Sequence, residues 1–263
     1  MILISSRNNS KVKLARALRQ KKARQESGLF IVEGIRPVGE AVEAGAEVKA
    51  LFYAPEILNS EFATELIHKQ TERGIDCLAL TAEVFATVSD KENPQGILAV
   101  VKQNQAKLEE LKPENFSWGV GLVSPQDPGN LGTVLRTIDA VGAKGLLLLD
   151  STLDLYHPSA VRASMGSMFW HPVVDASFQE FVNWARQHGY KIYGTSAHAE
   201  LDYRQVGYYA FPRILLMGSE RQGLSEEQAA ACDVLISLPM HGRATSLNLA
   251  VATGIMLYAM LDG

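Results

Sequence analysis

Three short polar segments interrupt an otherwise apolar second half: Asn130–Arg136, Gly218–Leu224 and Leu238–Leu249. They bring Asn130, Arg136, Glu220, Ser246 and Asn248 to places where an apolar run gives way to a turn or helix. In an open parallel sheet such places are the carboxyl ends of the strands, outside which ligands bind. Each residue also has a plain structural reading. Asn130, Ser246 and Asn248 could be helix caps, Glu220 could cap the helix that follows it, and Arg136 could be a solvated helix residue. Arginine at such a site would grip phosphate oxygens through its fixed fork of donors. Gly218 and Gly223 frame a Gly-x-x-x-x-Gly segment, but Leu224 stands where a phosphate loop needs Lys. No Gly-x-Gly-x-x-Gly follows a strand, so both common nucleotide fingerprints are absent. The six histidines and two cysteines show no ligand spacing, and no metal is expected.

These segments need a frame. Apolar runs at 118–123, 145–149, 191–194, 213–217 and 234–238 alternate with stretches of helical period. Such a pattern predicts a parallel sheet covered on both faces. The helix opening at Asn130 turns Leu131, Val134, Leu135 and Ile138 inward, and the last helix, from Leu247, is apolar nearly all round and predicted to be deeply buried. Upstream, a helix over 10–24 capped by Ser10, strands at 29–33, 48–53 and 96–101, and helices over 36–43, 60–73 and 81–89 make a smaller α/β unit. The chain therefore divides into a first domain, 1–102, a polar linker, 103–117, and a second domain, 118–263.

With 47% hydrophobic and 21% charged residues in 263, the composition is that of a soluble globular protein. No signal peptide or membrane span is expected, and two isolated cysteines suit a reducing, cytoplasmic setting. Net charge is −4, yet residues 1–36 hold nine Lys/Arg against two acids, so that segment carries +7 and the remainder −11. A basic segment on an acidic body suits local phosphate binding; by itself it could equally be a solvated helix face.

The order and spacing of the three segments resemble the motifs of the SpoU (TrmH-type) RNA 2′-O-ribose methyltransferases, of the SPOUT superfamily, along essentially the whole chain. The resemblance implies a deep trefoil knot in the second domain, a homodimer with its site near the subunit interface, and S-adenosylmethionine (AdoMet) as cofactor. It implies Arg136, Asn130, Glu220, Ser246 and Asn248 as the catalytic set, and Thr195, Gly218, Leu238 and Leu247 around the cofactor. The first domain resembles the family's RNA-binding domain, which implies RNA contacts for Arg7, Lys11, Phe30 and Arg36, with Arg162 as a further one. The implied reaction methylates a ribose 2′-hydroxyl of structured RNA, ribosomal before transfer RNA. Two alternatives remain: a transfer-RNA methyltransferase, and a non-catalytic RNA-binding protein of the same fold. The family account makes Arg136 the base. Because a guanidinium holds its proton tightly, Arg136 could instead stabilise the alkoxide while phosphate or water takes the proton. The residues leave both open.

Overall fold

Strand and helix alternate through the first half: β1 (Leu3–Ile4), α1 (Ser10–Ala17), α2 (Lys21–Ser27), β2 (Leu29–Glu33), α3 (Ile35–Glu43), β3 (Val48–Tyr53), α4 (Glu61–Glu72), β4 (Asp76–Leu80), α5 (Ala82–Val88) and β5 (Ile97–Lys102). The structure, a computed structural model, describes residues 3–261. The helix expected over 10–24 is two helices. Asn9, not Ser10, caps the first, accepting from the Lys11 and Val12 amides. Gln20 then turns extended before α2, and the Leu18 carbonyl freed by the break accepts from the Arg24 guanidinium at 2.7 Å. The strands form a mixed sheet in the order β1-β4-β3-β5-β2. Val12, Ala15 and Leu18 pack with Phe52, Leu80, Phe85 and Leu98 in its core. β4 escapes a pattern search because it is five residues long and opens on an aspartate.

The second half continues with β6 (Trp118–Val123), α6 (Pro128–Val141), β7 (Gly145–Leu149), α7 (Pro158–Ser164), β8 (Val173–Ala176), α8 (Phe178–Gln187), β9 (Lys191–Thr195), β10 (Arg213–Met217), α9 (Glu226–Ala230), β11 (Val234–Ile236) and α10 (Leu249–Leu261). Six strands, not five, form a wholly parallel sheet in the order β11-β9-β10-β6-β7-β8. β6, β7 and β10 are buried at every position, which is why they read as unbroken apolar runs. Sequence neighbours step outward from β6 through β7 to β8, while β10 lies on the other side of β6. The order thus reverses between β6 and β10, the place where open α/β sheets bind ligands.

Two features depart from the expected domain plan. The chain divides into one unit of residues up to Asn104 plus Asp154–Phe169, and another of Gln105–Leu153 plus the chain from Trp170 onward. The segment carrying α7 therefore belongs with the first half. Residues 105–117 are no free linker either. Leu111 and Phe116 are buried in the core of the second unit, and Trp184 donates its indole N–H to the Leu111 carbonyl at 3.1 Å. The polar composition of that stretch hides two anchoring apolar side chains.

α10 starts at Leu249 and buries only one side, through Leu249, Thr253, Met256, Leu257 and Met260, against α6 and β10. Val251, Ile255, Tyr258 and Leu261 lie 37–55% exposed on the other. The uniform apolarity that predicted deep burial reflects two faces, of which this chain covers one.

Candidate functional site

The loop after β6 leads into α6 through Asp127, whose side chain accepts from the Gly129 amide at 2.7 Å, with Pro128 at the first helical position. Asp127 is thus the cap. Asn130, one turn in and buried, is left for another task. Its amide donates to Glu220 at 3.4 Å and its carbonyl oxygen accepts from the Asn248 side chain at 3.0 Å. Glu220, just past β10, also accepts from the backbone amides of Gln126 and Asp127 at 3.1 and 3.4 Å. Asn248 uses its own oxygen to accept from the Ala250 and Val251 amides at 2.9 and 3.3 Å, and so caps α10. One chain of hydrogen bonds joins all three motif segments, across 90 and 118 residues of sequence. The cap reading of Asn248 holds as far as it goes; that of Asn130 does not.

Beside this chain lies a cavity of about 360 Å³, within the range of small-molecule sites. Thr195 at the end of β9, Gly218 after β10, and Leu238 and Leu247 before α10 line it, as do Glu220 and Ser246. β11 ends at Ile236 and α10 begins at Leu249, so Leu238, Ser246 and Leu247 stand on irregular chain that can shape a pocket. The site also takes in Met217 and Ile236, which carried no sequence signal of their own, and Met240 and Thr245, which lie inside the Leu238–Leu249 segment but were not singled out. Apolar walls with hydroxyls and exposed loop backbone between them suit a flat ring joined to a polar chain. Neither cysteine lines the cavity; burial pushes the Cys232 thiol up to about 12, and Cys77 is raised for the same reason.

Gly218 has its own constraint. The Ser219 and Gly223 backbones bond to each other in both directions, at 3.1 and 2.9 Å, folding the loop back on its start. A Cβ at Gly218 would meet the Gly223 carbonyl carbon at 2.1 Å and the Leu224 nitrogen at 2.3 Å. Gly218→Ala must therefore displace backbone at the cavity wall. We expect a loss of about 1–3 kcal/mol of stability, the usual cost of overpacking, and at least a tenfold weaker AdoMet affinity. Thermal unfolding and titration calorimetry check both.

Arg136 is placed differently. It is exposed on the third turn of α6 and does not line the cavity. Its helix neighbours Thr133 and Thr137 turn their hydroxyls back onto carbonyls four residues earlier. Ser246 is exposed at the cavity rim.

The residues expected to touch RNA fare unevenly. Phe30 is 1% exposed, packed against the rings of Tyr156 and Phe169, and has no face to offer a base. Arg24, counted in the basic segment, is buried against Asp154. Arg7 pairs with Glu83, Lys11 with Asp76, and Arg36 loosely with Glu40 at 3.6 Å. Asp90 holds both Arg19 and Arg162, and the hydrogen bond from Arg19 lowers its carboxyl below the ordinary range. Acids contributed by β4, α5 and the turn after it thus answer much of the +7, a screening that counting along the first 36 residues cannot reveal.

Residues 118–258 match the SpoU rRNA Methylase family, and residues 9–99 the MRM3-like substrate binding domain. Over 97% of its length the chain is 32% identical to a Bacillus subtilis protein, again over 97% of that protein, named 23S rRNA (guanosine(2553)-2′-O)-methyltransferase RlmP. It is 34% identical, over 97% of this chain and 90% of the other, to a Streptomyces viridochromogenes 23S rRNA (uridine(2479)-2′-O)-methyltransferase. Among solved structures, an AdoMet-bound rRNA methyltransferase from Sinorhizobium meliloti aligns with a TM-score of 0.90 and 37% identity, covering 99% of this chain and 97% of that one. With a family match over more than half its length and relatives above 30% identity along nearly all of it, the chain belongs to the SpoU rRNA methylase family.

Proposed function

We propose that this protein is an AdoMet-dependent methyltransferase acting on a ribose 2′-hydroxyl of ribosomal RNA. The observation that carries the reading is the hydrogen-bond chain Glu220–Asn130–Asn248 beside a cavity of cofactor size. It fixes three loops at the strand ends where such a cofactor would lie. The full-length likeness to two named 23S rRNA 2′-O-methyltransferases supports the reaction and favours ribosomal over transfer RNA.

In this reading Thr195, Gly218, Leu238 and Leu247 hold the cofactor. Bound AdoMet supplies a methyl group on a positively charged sulfur, open to in-line attack by an oxygen. The chain's work is then mostly positioning. Asn130, locked in one orientation by a donor on one side and an acceptor on the other, keeps the loop after β6 in register with α10. Ser246 offers its hydroxyl at the rim. Arg136, with no ion pair or hydrogen bond among the described residues, is open to the substrate. It grips a phosphate next to the target ribose and stabilises negative charge as the hydroxyl loses its proton, which phosphate or water accepts. The first unit supplies further RNA contacts through Arg7, Lys11, Arg36 and Arg162. Their exposed ion pairs contribute little stability, about 0–1 kcal/mol, so phosphates can replace the acids.

The trefoil knot belongs to the proposal as well. It is supported by β11 seating outside β9 while α10 returns against β10 and α6. So does a homodimer in the cytoplasm. Val251, Ile255 and Tyr258 recur at helical spacing on the uncovered face of α10, a stripe that a second copy would bury. No helix among the described residues is long and apolar enough to cross a membrane. Sedimentation should give twice the 28.7 kDa chain mass, and Ile255→Asp should halve it; a monomeric wild type removes the dimer.

The function is tested by incubating the protein with methyl-labelled AdoMet and unmodified 23S rRNA, then mapping 2′-O-methyl marks. One ribose methylated in near-stoichiometric yield is expected; label confined to bases, or no transfer at all, rejects the reading.

A further inference from the structure

Of the thirteen arginines, nine have a hydrogen bond, an ion pair or an aromatic ring to hold them. The four that have none among the described residues are Arg73, Arg136, Arg221 and Arg243. Arg73 caps the end of α4, where a positive charge faces the helix's own last carbonyls, so it has a local reason. The other three fall one to each motif segment: Arg136 on α6, Arg221 in the loop after β10, Arg243 in the loop before α10. All three are exposed.

The acids nearest them in sequence are engaged elsewhere. Glu220, adjacent to Arg221, is turned onto the amides of Gln126 and Asp127 and the side chain of Asn130. Asp139, one turn beyond Arg136, is held by His171 at 2.9 Å. Arg243 has no acid within seven residues on either side. The basic segment at the N-terminus shows the opposite pattern, most of its cations being matched by acids. A cation already paired must give up its partner to bind phosphate, whereas an unpaired one releases only the counterions of the nucleic acid.

We infer that Arg221 and Arg243 form, with Arg136, a three-point grip on consecutive phosphates of the RNA strand flanking the target ribose. The grip makes the motif loops of the second unit the main source of salt-dependent affinity. The inference rests on the RNA-methyltransferase reading and extends it to two residues outside the motif positions that the family resemblance marks. Arg221 also stands on the cavity lining, so a rival role for it is to hold the carboxylate of AdoMet itself. Arg243 does not line the cavity.

The experiment uses the full chain, protein-free 23S rRNA in a filter-binding titration across salt, and AdoMet alone in a calorimeter. Arg221→Ala and Arg243→Ala sit on exposed loop positions, so both should fold with unchanged melting temperature. Each should weaken RNA binding about tenfold near 0.1 M salt and cut the slope of log affinity against log salt by roughly 0.7, the loss of one single-strand phosphate contact. Methylation should suffer through a raised KM with kcat nearly kept, and AdoMet affinity should stay within about twofold. Arg221→Lys and Arg243→Lys should keep the slope and lose part of the affinity. Arg73→Ala should leave RNA affinity and the salt slope unchanged. An unchanged slope in the Arg221→Ala/Arg243→Ala double variant overturns the grip, as does an Arg221→Ala protein that loses AdoMet but binds RNA normally. A wild type that binds the RNA yet never methylates it, with the slope losses as stated, would sink the enzymatic reading and leave the grip standing.

Discussion

Arg136→Ala should lower methyl transfer about a thousandfold or more while melting temperature and AdoMet affinity hold. The two halves of this expectation have separate grounds. Arg136 is exposed, lies outside the cavity lining and has no partner among the described residues, so its removal opens no void and strands no charge. Surface changes of that kind move stability by about 0.5 kcal/mol at most. Catalysis is another matter, because removing one donor aimed at a developing oxyanion costs roughly 10²–10³ in rate, and the phosphate grip adds to that. Arg136→Lys separates charge from geometry. Lysine keeps the charge without the bidentate fork, so activity should remain near the alanine level if ribose and phosphate are held together. Near-normal turnover in the lysine variant would show that a point charge is enough. A fall in melting temperature in the alanine variant would mark Arg136 as a structural residue instead.

What the sequence could and could not reveal follows one physical line. Features set by neighbours in the chain were readable: the unbroken apolar runs of β6, β7 and β10, and the polar segments at strand ends. The cavity positions at Gly218, Leu238 and Leu247 could be named because their segments matched a known motif order, and Thr195 because it ends the neighbouring strand. Features set by partners far along the chain were not readable. Asn130 looked like a cap because nothing nearby shows that Asp127 already fills that place, or that Glu220 and Asn248 wait on either side of its amide. Phe30 was expected at the RNA from the family resemblance, and its burial could not be foreseen because its partners, Tyr156 and Phe169, lie more than a hundred residues on. The short strands β4 and β8 carry acids, Asp76 and Asp175, that break any apolar count. Charge misled most of all: a net +7 over 36 residues says nothing of the acids that folding brings to meet it.

Arg24 is the sharpest case, and its replacement should be the most damaging to the fold. Its side chain is 2% exposed and that of Asp154 14%. The guanidinium donates to the Asp154 carboxylate through Nε at 3.0 Å and to the Leu18 carbonyl through Nη1 at 2.7 Å. It thereby closes the break between α1 and α2 and ties the segment of α7 to the first unit. Arg24→Ala leaves a nearly buried carboxylate and an orphaned carbonyl, and removing one partner of a buried pair costs about 3–5 kcal/mol. For a domain near a hundred residues, each kcal/mol shifts the melting temperature by about 4–8 °C, so a drop on the order of 15 °C or more is expected. Replacing both partners, as Arg24→Met with Asp154→Leu, should recover most of the loss, since buried pairs often give way to apolar packing with little net cost. The second unit carries the proposed cofactor cavity by itself, so cofactor affinity measured below the melting range should be unchanged in both variants. If Arg24→Ala melts with the wild type but loses RNA affinity, Arg24 serves RNA after all, as its place in the basic segment first suggested, and the ion pair with Asp154 counts for little in solution.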